Sequence, residues 1–195
     1  MEHFEKTLSI ICDAVRSIKP EEFDGLKADC LAALAADKKL IASGLGKNVP
    51  ICEKFVGSLN SLGIPASFMH TNSAVHGDLG MVRDGDLVIV LTKSGETSES
   101  VHLVSLLKKR NCKIWLLSFS RDSVLYRELP NHLILDLAHE GDMWNILPNN
   151  STVLNLIVLQ ELAMRIADEQ QVPLDALREN HPGGAIGAKL SEGGR

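Results

Sequence analysis

Residues 87–99 read Leu-Val-Ile-Val-Leu-Thr-Lys-Ser-Gly-Glu-Thr-Ser-Glu. Five unbroken apolar residues give way to a small polar segment, which opens a helical pattern. So short an apolar run, bounded by turn residues, fits a strand buried on both faces, the condition of strands in a parallel sheet. The same unit recurs on either side. Leu40-Ile41-Ala42, Ile114-Trp115-Leu116-Leu117 and Leu133-Ile134-Leu135 read as further buried strands, and Ser67-Phe68-Met69 as a fifth. Helical stretches over 5–17, 23–36, 50–62, 98–110 and 152–170 alternate with them. Such alternation implies βαβ crossovers, so the fold class is α/β: a three-layer αβα sandwich with a five-stranded parallel, doubly wound sheet. The last helix is apolar around most of its circumference through Val153, Leu154, Leu156, Ile157, Val158, Leu159 and Leu162, and is expected to be buried or to form a subunit interface.

A chain of 195 residues with 45% hydrophobic and 23% charged residues is an ordinary globular profile, enough for one domain with its own core. The two helices within 1–36 precede the first strand and are not required by a minimal sheet. They are expected to pack on the domain or on a partner subunit, leaving 37–195 as the ligand-binding domain. The longest aliphatic stretch, Leu87–Leu91, falls far short of the ~20 residues that cross a bilayer, and the acidic start Met1-Glu2-His3-Phe4-Glu5 lacks the features of a signal peptide. The expected location is cytoplasmic, with no membrane partner. Cys12, Cys30, Cys52 and Cys112 form no C-x-x-C pair, so reduced and mostly buried thiols are expected rather than zinc or dithiol chemistry. A net charge of −5 with scattered basic residues argues against a nucleic-acid partner. An anionic ligand would need a local electropositive pocket.

Ligands of open parallel sheets collect at the carboxyl ends of the strands. There the first strand is followed by Ser43-Gly44-Leu45-Gly46-Lys47 and the third by Thr92-Lys93-Ser94-Gly95-Glu96-Thr97-Ser98-Glu99. The hydroxyls of Ser94, Thr97 and Ser98, the close approach allowed by Gly95 and the amides of the following helix turn suit a phosphate, with Lys93 and Lys47 supplying charge. The same residues also suit a plain capping loop in which Glu96 and Glu99 favour the helix dipole. Gly44-x-Gly46 lacks the third glycine of a dinucleotide fingerprint and His70 stands where its acidic residue would be, so a nicotinamide dehydrogenase is a poor fit.

Four segments in a set order carry a family resemblance: Gly44-Leu45-Gly46-Lys47, His76-Gly77-Asp78-Leu79-Gly80-Met81, Ser94-Gly95-Glu96-Thr97-Ser98-Glu99 and His181-Pro182-Gly183-Gly184-Ala185-Ile186-Gly187. Over about residues 30 to 190 the chain resembles the sugar isomerase (SIS) domain of the arabinose-5-phosphate isomerases. The resemblance implies a flavodoxin-like sheet and an aldose–ketose isomerisation of a phosphosugar through an enediol(ate), for 3-deoxy-D-manno-octulosonate synthesis. It implies no organic cofactor and no required metal. The family's functional positions fall on Lys47, His76, Glu99, Glu140 and His181. By this analogy Glu140 is the base at C1/C2, His181 or His76 serves ring opening and oxygen protonation, and Lys47 stabilises developing charge. Glu99 is a second acid/base or an orienting group. The analogy gives Ser94, Gly95, Thr97 and Ser98 to the phosphate, with Ser43, Gly46, His70 and Ser151 as further ligand contacts. It also implies a homodimer or homotetramer with active sites at subunit boundaries, His181 and His76 entering from a neighbour.

The chain departs from the family at four places. Asn48-Val49 follows Lys47 where Ser-Gly is common, Lys93 replaces a common Asn, and residues 141–150 replace a small Pro- and Gly-containing stretch with one holding Asp142 and Trp144. The sequence ends at Arg195, where family members often continue into cystathionine-β-synthase-type domains, so a chain without that regulatory pair is expected. Two other functions fit the phosphate loop: a phosphoheptose or hexulose-phosphate isomerase, and a non-catalytic phosphosugar-sensing module.

Overall fold

The computed structural model describes residues 1–192 and places the run Leu87–Leu91 as the middle strand of a five-stranded sheet. The strands are β1 (Leu40–Gly44), β2 (Ala66–His70), β3 (Leu87–Leu91), β4 (Lys113–Ser118) and β5 (His132–Ile134), in the order β2-β1-β3-β4-β5 and all parallel. The helices are α1 (Glu2–Arg16), α2 (Pro20–Ala35), α3 (Asn48–Ser61), α4 (Thr71–Ala74), α5 (Ser98–Leu107), α6 (Val124–Glu128), α7 (Asn150–Glu169), α8 (Leu174–Asn180) and α9 (Gly184–Glu192). A 3-10 turn, Asp78–Met81, lies between α4 and β3.

Period-two alternation builds both cores. Leu87, Ile89 and Leu91 of β3 join Leu40, Ala42, Trp115 and Leu133 in a core covered by α2, α3 and α7, through Leu26, Phe55, Leu59, Leu154 and Leu159. Val88 and Val90 join Ile41, Ile114, Leu116 and Ile134 in a second core, covered by α5 and α6 through Leu103, Leu107 and Leu125. The doubly wound α/β sandwich expected from the apolar runs is the fold found.

The strand and long-helix expectations match within about three residues at each end. The short elements α4 and α6 have 4 and 5 residues, barely more than one helical period, so no apolar face can show in sequence. α8 and α9 extend the fold beyond the last expected helix. α8 starts after Pro173 with Asp175 in its first turn, both ordinary helix-start signals. Residues 193–195 of the 37–195 span lie outside the described residues. Among the described residues no helix is long and apolar enough to cross a membrane. Cys30 and Cys52 are buried and Cys12 is exposed, and burial pushes the Cys52 thiol up to about 12.

α2 is fastened to the sheet by polar contacts as well as by Leu26 and Cys30. Asp29 accepts from Lys113 Nζ at 2.7 Å and from Trp115 Nε1 at 2.9 Å. Glu22 accepts from Arg121 Nη1 at 2.7 Å and from the Ile134 amide of β5 at 2.8 Å. α1 packs against α7 of the same chain and buries Ala14 and Ile11.

Glu22→Ala is expected to lower folding stability by about 1–3 kcal/mol, because it strands a backbone amide and a guanidinium that now share one carboxylate. Urea denaturation followed by circular dichroism checks this, with the midpoint falling and the slope unchanged.

Candidate functional site

After β1 the chain crosses through α3 to β2 on one side, whereas after β3 it crosses through α5 to β4 on the other. The carboxyl ends of β1 and β3 are therefore adjacent while their loops diverge, which opens a crevice at the switch point. A cavity of about 340 Å³ occupies it. Gly46, Lys47 and Asn48 line it from the loop after β1, and Thr92, Lys93 and Thr97 from the loop after β3. Ser151, Asn155 and Pro148 close it from α7 and the segment before it. The volume is within the roughly 300–1,000 Å³ typical of small-molecule sites. A larger groove of about 630 Å³ lies among α1, α2 and α7 and contains none of the expected site residues.

Both loops are held by close approaches that glycine permits. A Cβ on Gly44 would stand 2.9 Å from Asn48 Cβ and 3.0 Å from Cys52 Sγ, so the first turn of α3 sits directly on the end of β1. Gly95 has φ +69° and lies against Ser123, where a Cβ would come 2.8 Å from Ser123 Cβ. Its carbonyl accepts from the Leu125 amide at 3.2 Å, while Glu96 accepts from the Val124 amide at 2.7 Å. The loop is thus tied to α6. Ser94 Oγ accepts from the Glu96 amide at 3.1 Å. Thr97, the N-cap of α5, makes no side-chain cap bond, and its hydroxyl lies 3.5 Å from that of Thr92 at the cavity wall.

Glu140 is the electrostatic centre of the opposite wall. It is 1% exposed, and Oε2 accepts from the amides of Asn149 at 3.0 Å and Ser151 at 2.9 Å, capping α7 in place of the N-cap Asn149 side chain. Lys93 Nζ lies 2.5 Å from Oε1. Burial pushes the Glu140 carboxyl up, but the Lys93 ammonium and the Ser151 hydroxyl and amide outweigh it and hold the group below the usual carboxylate range. Three helices, α3, α5 and α7, begin at this cavity; Glu140 offsets Lys93 and the start of α7, and the amino-terminal partial charges of α3 and α5 add to Lys47. This supplies the local positive field that a chain of net charge −5 needs for an anion.

Of the residues singled out in the sequence, Gly46, Lys47, Thr97 and Ser151 line the cavity, and Glu140 stands behind Lys93 and Ser151. Ser43 is fully buried on the Thr71 hydroxyl at 3.2 Å and is not part of the lining. Ser94, Gly95 and Ser98 shape the β3 loop from outside the lining. Glu99 is exposed on the first turn of α5; its own amide and the Ser98 hydroxyl hold its carboxyl low. His70 Nδ1 accepts from the Asn72 amide at 3.2 Å and caps α4. His76 is exposed just beyond α4, at the same end of the sheet.

His181 is elsewhere. It follows α8, whose Asn180 donates to the Ser61 carbonyl at the last turn of α3, while its own Nδ1 lies 2.8 Å from the Leu177 carbonyl. α3 starts at the cavity and has 14 residues; at ~1.5 Å per residue His181 is roughly 20 Å away in the same chain.

Asn48, Ser100 and Asn155 are polar lining residues that the sequence did not mark as site groups. The signal for Asn155 is a single amide within the apolar run Val153-Leu154-Asn155-Leu156-Ile157, one turn after Ser151.

A family model described as the SIS domain matches residues 33–165. Arabinose 5-phosphate isomerase KdsD of Pseudomonas aeruginosa is 29% identical over 186 residues, which cover 95% of this chain and 57% of that protein. The protein of the same name from Escherichia coli K12 is 33% identical over 152 residues, 78% of this chain and 46% of its own. The chain thus spans about half the length of the curated relatives it matches. A solved structure of c3406 from Escherichia coli CFT073, in complex with arabinose 5-phosphate, superposes with a TM-score of 0.84 at 27% identity and covers 93% of this chain and 95% of that one.

Because the folded Glu140 carboxyl is depressed below its ordinary value of 4.5, its stabilising contribution is complete above that value and disappears as the pH falls through the folded one. Lys93→Met removes the main partner that opposes the burial penalty. The difference in thermal unfolding temperature between the wild type and this variant is therefore expected to be widest near neutral pH and to shrink as the pH drops below about 4.5. Scanning calorimetry across that range checks it.

Proposed function

The chain belongs to the SIS-domain family, and from that premise we propose that it is a phosphosugar aldose–ketose isomerase interconverting D-ribulose 5-phosphate and D-arabinose 5-phosphate. The observation that carries this reading is the convergence of Lys47, Lys93 and three helix starts on one cavity at the β1/β3 switch point, with Glu140 directly behind Lys93. The names of the curated relatives support the substrate, and the sugar-phosphate complex of the solved relative supports the ligand class. A supply of precursor for 3-deoxy-D-manno-octulosonate in lipopolysaccharide or capsule, and a cytoplasmic location, go with this reading.

The chemistry opens the sugar ring, moves a proton between C1 and C2, and holds negative charge on oxygen meanwhile. In this scheme the phosphate takes amides and hydroxyls of the α5 start around Thr97 and Ser98, and Lys47 faces the developing oxyanion. Glu140 is the base. Its charge is balanced by Lys93, so a ligand oxygen that draws Lys93 away would return basicity to Glu140 as the substrate seats. Ring opening and oxygen protonation fall in this scheme to His76, with Glu99 as a second acid/base or an orienting group; both lie outside the cavity lining of their own chain.

His181 enters this scheme only from a second copy, because its own chain holds it at the far end of α3. A homodimer or homotetramer with shared sites follows. Exposed Phe4 and Leu8 on α1 and Ile157 and Met164 on α7 supply apolar surface for such contacts. The separation of Glu99, His76 and His181 from the cavity within one chain also favours a second reading, a sensor that binds a phosphosugar without turnover.

Purified protein is expected to convert ribulose 5-phosphate to arabinose 5-phosphate, followed by proton NMR. Glu140→Gln and Lys47→Met should each lower kcat/KM by about a hundredfold or more. Tight binding with no conversion would overturn the isomerase reading in favour of the sensor. Mixing inactive Lys47→Met and His181→Ala chains after mild dissociation should restore about a quarter of wild-type activity, since random reassembly gives a quarter of shared sites both intact groups. No recovery would sink the shared site.

A further inference from the structure

We propose that Asn155, aimed by Asn48, is a specificity-determining residue of the cavity, its Oδ1 accepting a hydrogen bond from a hydroxyl of the bound phosphosugar. The inference rests on the reading of the cavity as a phosphosugar site and adds which polar group selects the sugar.

Asn155 is 2% exposed and sits on the side of α7 that otherwise buries Leu154, Val158, Leu159 and Leu162. An amide in such a place is expected to have its donors and acceptors met. Its donor is met. Asn155 Nδ2 gives a hydrogen bond to Asn48 Oδ1 at 3.1 Å, and Asn48 Nδ2 in turn gives one to the Leu91 carbonyl at 3.5 Å. This relay has one polarity. A backbone carbonyl only accepts, so Asn48 must present its NH2 to Leu91, which leaves Asn48 Oδ1 for the NH2 of Asn155. Turning either amide over would set oxygen against oxygen. The end of the relay is therefore always an oxygen, Asn155 Oδ1, and that oxygen has no partner.

Two other buried side-chain atoms among the described residues lack a hydrogen-bond partner, His132 Nδ1 and Glu140 Oε1. His132 packs edge-on against Tyr126, away from the cavity, and Glu140 Oε1 has the Lys93 ammonium beside it. Asn155 alone of the three lines the cavity.

An unmet acceptor selects for a donor. A phosphate dianion has no hydrogen to give and would be repelled by the amide oxygen, so the phosphate is turned away from α7 and α3, toward the start of α5. The donors a phosphosugar carries are its hydroxyls. Asn155 thus reads one hydroxyl, and a ligand lacking it leaves the buried oxygen unpaired, which is how polar sites reject deoxygenated analogues.

The test uses D-arabinitol 5-phosphate, which cannot isomerise, and its 1-, 2-, 3- and 4-deoxy counterparts, titrated calorimetrically into the wild type, Asn155→Leu and Asn48→Ser. The wild type is expected to bind one of the deoxy ligands about tenfold more weakly than the parent. Asn155→Leu should bind the parent about as weakly as the wild type binds that deoxy ligand, and should no longer distinguish the two. Asn48→Ser keeps Asn155 but frees its amide to turn over, so part of the discrimination should go even if Asn155→Leu fails to fold. Discrimination unchanged in either folded variant overturns the inference alone. A wild type that binds the parent but distinguishes none of the deoxy ligands does the same. A wild type that binds no pentitol phosphate overturns the phosphosugar reading together with it.

Discussion

The site depends on β1 and β3 lying side by side while their chains leave in opposite directions. In a parallel sheet every strand ends at the same edge, so every following helix begins there. α3, α5 and α7 all bring their amino-terminal turns to that edge, and the first amides of α7 are already taken by Glu140. The divergence of the first two leaves a gap between them, and the start of α7 closes it from the side. The binding cavity is thus a by-product of connectivity, and the residues around it add selectivity and reactivity to a concavity that the backbone already makes.

Within that gap the balance of charge is local. Glu140 is a buried anion satisfied by two amides, one hydroxyl and one lysine, so it stabilises the start of α7. The same contacts make it a weak base. A group that is structural in one arrangement and reactive in another needs a partner able to move, and Lys93, with its side chain 45% exposed, has the freedom that a buried partner would lack. On the isomerase reading, the lysine in place of the family's common asparagine couples occupancy of the cavity to the state of the carboxylate.

The layers and strand positions were legible because burial on both faces leaves a short, wholly apolar run that few other contexts produce, as at Leu87–Leu91. The polar loop after β3 was legible as composition, but its ties to α6 through Gly95, Glu96 and Ser123 were not, because α6 has 5 residues and no periodic signal of its own. Glu140 was singled out only through the family resemblance. Its role as the cap of α7 comes from a contact across nine residues that local sequence does not encode. The place of His181 was hidden for a different reason, since it depends on where α8 docks, and that is set by one amide reaching the end of α3. Asn48 and Asn155, 107 residues apart, form a pair that only the fold brings together.

The carboxylate of Glu22 on the Ile134 amide has a consequence for how copies of this chain meet. β5 is an outer strand of 3 residues whose free side would otherwise offer a ladder of unmet amides and carbonyls, an invitation to strand-by-strand addition of another molecule. Glu22 fills the Ile134 position of that ladder, and Arg121 reaches the Ile134 carbonyl at 3.4 Å. α2 therefore acts as a guard rail along this margin of the sheet. At this margin an incoming strand finds the Ile134 position already taken, so open-ended β addition is blocked here.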